Sequence, residues 1–476
     1  MEENNNEFVQ PVPPRRRRRR TKWQDFKEAY LPVIIAGAAL ILIVVFIVGS
    51  IRRSKVEVPK GNTPTAETTI SASDALLAEA DSLLKQADAM ASHFDYQGAM
   101  DLLGTYSAGL DSNESLKAKY NEYSDAMSKL VEFTDVDKVP NLTFNLLIED
   151  LPRALADKTY GSKYNQNYVT TGEFKAILQQ LYDNGYILVS MYDIAPQVTN
   201  DEGNTVVTKG TLRLPEGKKP LMLTQQGTNY YTYMVDSDKD GKPDKGGAGF
   251  ASKLIIDENG KLMNEFIAAD GSTTVGAFDF IPILDEFVES HPDFSYHGAK
   301  ATIALTGYDG LFGYRTDPET ATKISKEYYD NDVAAVVPVI NAVRDSGYDL
   351  ACFTYDNISY GELSSGDIQK DLDLWKKEVT PLLGDVDILV YPNGSDIGDA
   401  KEYTGNQYKV LSDFGFKYFI GQDTTVPAWL QVTDNYARQT RRWVTGRLMA
   451  HKANLYSDLF DASAVLDTAK RGEVPS

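Results

Sequence analysis

A chain of 476 residues, 42% of them hydrophobic, is long enough for one large core or two to three smaller ones, and its composition is that of a globular protein. The formal net charge of −20 is unevenly spread: residues 1 to 53 carry ten Lys/Arg against five Asp/Glu, which leaves −25 for everything after them. So acidic a body excludes nucleic acid and anionic lipid as its main partners, and the single cysteine, Cys352, excludes an intrachain disulfide.

Residues 1–30 form a basic tail with six consecutive arginines, Arg15 to Arg20. From Leu31 to Ile51 no charge interrupts LPVIIAGAALILIVVFIVGSI, a run that a helix rising ~1.5 Å per residue carries across a ~30 Å hydrocarbon core. It is too long for the apolar part of a cleaved signal peptide, so it predicts a retained single-span anchor. The arginines outweigh Arg52 and Arg53 on the far side, which places the N-terminus in the cytoplasm and the body outside the cell membrane. Residues 52–70 are rich in Thr, Pro and Lys and read as a linker.

Residues 71–135 contain little Gly or Pro, and apolar residues recur at helical spacing (Leu76, Leu77, Ala80, Leu83, Leu84, Ala87, then Ala99, Met100, Leu102, Leu103). Two or three antiparallel helices are expected, similar to one tetratricopeptide-type hairpin; with no second clear copy, it is a spacer or a protein-docking hairpin rather than a solenoid. Beyond Pro140, β-rich runs alternate with helical ones: LTFNLLI, YILVSMYDI, PLMLTQ, KATIALTG, DLACFTY, DILVYP and KYFIGQ. Helix ends are legible: Thr170 with Glu173 makes a capping box and Gly185 closes that helix, while Ser364 with Asp367 opens another that Gly384 closes. Turns at Asp257–Gly260 and Asp270–Gly271 predict inserted hairpins. The alternation predicts an α/β fold with a parallel sheet or barrel over 139–450, followed by a C-terminal tail, 451–476.

Four segments in chain order, YVTTGEFKAILQQLYDNGYILVSMYDIA, LRLPEGKKPLMLTQQG, GYDLACFTYDN and DILVYPNGS, resemble the polysaccharide deacetylases, the NodB-homology carbohydrate esterases, here as a membrane-anchored member of Gram-positive type. The resemblance spans about Asn141 to Met449 and implies an irregular (β/α) barrel. In that family the strand ends Thr-x-Asp-Asp, a general base followed by a metal ligand, and the second motif supplies two metal-binding histidines four residues apart. This chain has Gln226 at the base position and Gly227, Phe353 and Asn357 at the metal positions, with Asn145 where related members often carry histidine. Such a metal lowers the pKa of its water from 15.7 to about 7 for a carboxylate to deprotonate. Glutamine is no base, and phenylalanine coordinates nothing.

Two readings follow. In the first, the barrel is catalytically inactive, needs no cofactor, and binds cell-wall polysaccharide or peptidoglycan, or a partner. Thr224, Tyr230, Tyr231, Tyr391, Pro392 and Gly394 are then its glycan-binding candidates, with Tyr233 completing the tyrosine cluster after the motif. The plain alternative for each is barrel packing. In the second, the chain is an active zinc-dependent de-N-acetylase working through unrecognised residues such as Asp309 or Asp356. None of His93, His291, His297 and His451 is spaced as a metal ligand pair. Separately, VDSDKDGKPDKGG sets Asp236, Asp238, Asp240 and Asp244 around Gly241, a pattern suited to calcium, although Gly247 stands where an EF-hand loop has its bidentate Glu. Calcium and a solvated acidic turn both remain open.

Overall fold

A computed structural model describes residues 72–422 and 426–476. The basic tail, the apolar run 31–51 and the linker therefore lie outside the described residues. Among those described, no helix is long and apolar enough to cross a membrane.

Three helices come first: α1 (Ala72–Ser92), α2 (Tyr96–Leu103) and α3 (Glu114–Ser128). The Asp95 carboxylate accepts from Gly98 N at the start of α2, and the Asn113 side chain accepts from Ser115 N and Leu116 N at the start of α3. Their apolar stripes meet in a separate small core of Ala80, Ala87, Ala99, Leu103, Leu116 and Tyr123.

Seven strands then form the barrel: β1 (Asn141–Phe144), β2 (Lys219–Gln226), β3 (Thr302–Leu305), β4 (Asp349–Cys352), β5 (Ile388–Val390), β6 (Tyr418–Gln422) and β7 (Ala437–Trp443). Each is parallel to the next, and β7 pairs with β1 to close the ring in chain order. Helices over 171–183, 280–290, 326–345, 365–378 and 405–414 fill the connections up to β6, as the βα alternation predicted. Thr170 and Glu173 form the expected capping box. The turns at Gly260 and Gly271 join a three-stranded antiparallel sheet inserted between β2 and β3.

Strand period 2 sorts the side chains. Leu142, Phe144, Leu221, Leu223, Ile303, Leu305, Leu350, Cys352, Leu389 and Phe419 face the surrounding helices in the main core, while Met222, Ala304, Ala351, Phe353, Val390, Ile420 and Ala437 belong to the inner core. Fully burying one large side chain, such as Phe144 or Phe174, contributes about 1.5–3 kcal/mol.

Three expectations are revised. The run YILVSMYDI gives a strand, Tyr186–Leu188, that pairs with the first residues of β2, bridges to Ser295 and stays outside the ring. The seventh barrel strand is ARQTRRW, whose three arginines hid it: Arg438 and Arg442 turn outward to Asp396 and Asp458, and Arg441 is enclosed. Residues 451–476 are no free tail, because Tyr456, Leu459, Phe460 and Val465 join the main core and Arg471 forms a buried ion pair with Glu173 at 2.5 Å.

Candidate functional site

A parallel barrel gathers at one rim every residue that follows its strands, and active sites of such barrels sit on that face. Here Asn145 follows β1, Gln226 ends β2 and Gly227 follows it, Phe353 and Asn357 follow β4, Asn393 follows β5 and Trp443 ends β7. Together they line a cleft of about 170 Å³. The four positions singled out from the sequence and Asn145 thus come to one place, although they are up to 212 residues apart (357 − 145).

The lining is five carboxamides (Asn145, Asn167, Gln226, Asn357, Asn393), five aromatic rings (Tyr168, Tyr231, Tyr233, Phe353, Trp443), Leu146, Met234 and the Gly227 backbone. Among the described residues lining it there is no carboxylate, imidazole, thiol, amine or guanidinium. The amides are oriented by a chain of bonds. Asn145 Nδ2 donates to Asn167 O (3.0 Å), so its Oδ1 faces Gln226, whose Nε2 donates to it at 2.8 Å. This leaves Gln226 Oε1 buried without a partner, and the indole N–H of Trp443 is likewise unpaired. Both atoms are enclosed, and each is costly to leave unbonded.

The zinc implied by the resemblance does not fit this donor set. Phe353 has no ligand atom, Gly227 has no side chain, and the Gln226 amide nitrogen is committed to Asn145. The two carboxylates considered for an alternative hydrolase are outside the cleft lining: Asp309 accepts from Thr232 N and Oγ1 and lies 3.9 Å from Arg315, and Asp356 is exposed.

The rim is nonetheless conformationally specialised. Gly227 (φ 67), Tyr230 (φ 51), Thr354 (φ 60), Asn357 (φ 54), Asn393 (φ 56) and Gly394 (φ 68) all adopt left-handed backbone. Such residues cluster where a site's geometry is over-determined by its surroundings, and a β-branched Thr there is especially unfavourable.

Several glycan-binding candidates are corrected by burial. The Thr224 hydroxyl is enclosed and donates to Asn141 Oδ1, Tyr230 is fully buried with its hydroxyl on Asp279, and Tyr391 is buried with its hydroxyl accepting from Tyr403. Pro392 is buried in the turn, and Gly394 allows close approach, since a Cβ there would sit 2.3 Å from Gln422 Cβ. These positions hold the barrel's shape. Tyr231 does line the cleft, stacked on Tyr233 (5.8 Å, 14°) and 6.1 Å from Tyr308. Tyr233 and Tyr308 are 44% and 49% exposed, so an aromatic shelf runs outward from the cleft, and Tyr308 was not singled out from the sequence.

Asp279 supports the cleft from behind, accepting from Leu147 N, Gln225 Nε2 and the Tyr230 hydroxyl; burial raises its pKa to about 6. In the acidic loop, carboxylate oxygens of Asp236, Asp238 and Asp244 come within 4.8 Å of one another, whereas Asp240 turns to Lys242. At the opposite end of the barrel, under α1, a larger cavity of about 680 Å³ is lined by His93, Asp193, His297, Lys300, Arg344 and Asp349, among others. His93 and His297 meet there because His297 N donates to His93 O (2.8 Å), a proximity across 204 residues (297 − 93) that sequence spacing cannot show. Burial, then the charges of Asp193 and Asp387, push Asp349 up to about 8.

No family model and no curated protein sequence matches the chain. Among solved structures it is similar to the deacetylase PplD of Streptococcus pyogenes in complex with acetate, at 13% identity and a TM-score of 0.35, covering 68% of this chain and 98% of that one. A de-N-acetylase from Aggregatibacter actinomycetemcomitans gives 11% identity and a TM-score of 0.34, covering 65% and 95%.

Proposed function

We propose that this chain is a membrane-anchored, extracytoplasmic protein of the cell envelope whose deacetylase-type barrel binds an uncharged glycan of the cell wall without hydrolysing it. The observation that carries the reading is the cleft's lining: amides and aromatic rings surround the place where a metal and a base would work. Neutral sugars are recognised by this pairing, with amide groups bonding hydroxyl and acetamido groups while rings cover the apolar faces of the sugar. The shelf of Tyr231, Tyr233 and Tyr308 extends the surface for a polymer.

The anchor rests on the uninterrupted apolar run 31–51 and its arginine flank. In this reading the three-helix segment holds the barrel away from the bilayer and offers a surface for a protein partner.

The test is calorimetric titration of the protein with N-acetylated cell-wall oligosaccharides, beside an assay of acetate release with and without zinc. Binding with no acetate released is expected. Zinc-dependent release would replace this reading with the enzyme, and absence of any binding would remove the glycan.

A further inference from the structure

The inward faces of β1, β2, β3 and β7 carry Asn141, Thr143, Thr224, Thr302, Gln439 and Arg441, all buried. Part of this set is internally satisfied: Thr224 Oγ1 donates to Asn141 Oδ1, Asn141 Nδ2 to Gln439 Oε1, and Gln439 Nε2 to Val139 O, each at 3.0 Å. The rest is not. Thr143 Oγ1, Thr302 Oγ1, and both Nε and Nη1 of Arg441 are buried without a hydrogen-bond partner among the described residues.

Arg441 is the sharpest case. It is 1% exposed, its Nη2 donates to Tyr391 O at 2.9 Å, and its guanidinium carbon lies 5.9 Å from the centre of the Phe353 ring. The other buried arginines each face a carboxylate: Arg315 with Asp309 (3.9 Å), Arg438 with Asp396 (2.8 Å), Arg442 with Asp458 (2.7 Å) and Arg471 with Glu173 (2.5 Å). Arg441 makes no ion pair among the described residues. Burial draws its pKa down to about 9, which still leaves it charged at neutral pH. An enclosed cation with free donors and no counter-charge is strongly unfavourable. Water can answer the donors but not the charge.

We propose that Arg441 binds a small monovalent anion, the size of chloride, formate or acetate, inside the barrel beneath Phe353, with the Thr143 and Thr302 hydroxyls as further donors within the same interior. The closed ring and the Phe353 ring limit the size. Ala304 and Ala351, paired on β3 and β4, belong to the same inner core. Arg441 is not among the residues lining the cleft, and the Phe353 ring, 5.9 Å from its guanidinium carbon, stands between the two. A bound anion would also leave the floor of the cleft without net charge.

The test is thermal melting of the full chain in detergent at constant ionic strength, replacing gluconate stepwise by chloride, formate or acetate. A saturable rise in melting temperature is expected with the small ions, following mass action for a ligand of the folded state, and none with gluconate or sulfate. Arg441→Met should remove the dependence and melt higher than the unaltered protein in gluconate. Equal melting in all anions, or the same rise in Arg441→Met, overturns the proposal. If that variant does not fold, bromide soaked into crystals of the unaltered protein decides: an anomalous peak beside Arg441 supports the site, and water alone there overturns it.

Discussion

Gln226 Nε2 donates to Asn145 Oδ1 over 2.8 Å, and the direction of that bond is dictated from behind by Asn145 Nδ2 donating to Asn167 O. A carboxylate at position 226 would set acceptor against acceptor, and Asn145 could not turn its amide without losing Asn167. Gln226→Glu should therefore lower stability by about 1–3 kcal/mol and weaken glycan binding. Urea denaturation and calorimetry check this. Unchanged stability would mean that the amide chain does not orient the site.

The aromatic shelf predicts a dependence on ligand length. Tyr308 is not among the residues lining the cleft and is 49% exposed, so Tyr308→Ala should change stability by no more than about 0.5 kcal/mol. Affinity for a tetrasaccharide should fall about tenfold, which is ~1.4 kcal/mol, while a disaccharide seated in the cleft binds as before. Equal losses for both lengths would place this ring in the first sugar's site.

Six of the seven barrel strands were legible because each has an apolar outward face. The seventh, ARQTRRW, was not, because its arginines find partners far away in sequence, Asp396 and Asp458, that no local pattern reveals. The cleft was legible at Gln226, Gly227, Phe353 and Asn357 through motif order alone. Burial was not: Tyr230 and Tyr231 are adjacent in the chain, yet the first is sealed against Asp279 and only the second reaches the cleft. Adjacent residues can point to different environments, and the sequence carries no record of which faces inward.

The acidic loop separates its own members. Asp236, Asp238 and Asp244 converge and Asp240 does not, so if the loop takes calcium, millimolar ion should raise the melting temperature and Asp238→Ala should abolish the rise. Asp240→Ala should leave most of it. No response to calcium in the unaltered protein would make the loop a solvated turn.

Asp349 gives a pH dependence of known sign. An unfolded Asp titrates near 3.9, and in the fold burial with Asp193 and Asp387 nearby raises it to about 8. Between these values the folded state holds a proton that the unfolded state has released, so this group makes stability fall as pH rises from about 4 to about 8. Asp349→Asn should flatten that slope and raise stability at pH 8 by about 1–3 kcal/mol, the range reflecting a carboxylate partly open to the basal cavity. Denaturation series at pH 5 and pH 8 test it, and parallel profiles for the two proteins would remove Asp349 as the cause.

Building a base and metal ligands into the cleft tests its assignment. Gln226→Asp, Gly227→Asp, Phe353→His and Asn357→His together restore a base and three ligands at positions the fold already brings to one rim. Asn357 has φ 54, which His tolerates better than most side chains. Gly227 is harder: its φ is 67, and a Cβ there would lie 3.3 Å from the ring and hydroxyl of Tyr231, so that ring must shift by a few tenths of an ångström. Shortening Gln226 also leaves Asn145 Oδ1 without its donor. The variant should thus be about 2–4 kcal/mol less stable without metal and recover part of this on adding zinc. Ligand geometry must be right to about half an ångström, so zinc binding should return before turnover. Calorimetric titration of the variant beside the unaltered protein measures both. Were the unaltered protein to bind one zinc and release acetate while the variant did neither, the four residues would not be the relics of a metal site, and the reacting centre would have to lie elsewhere on the barrel.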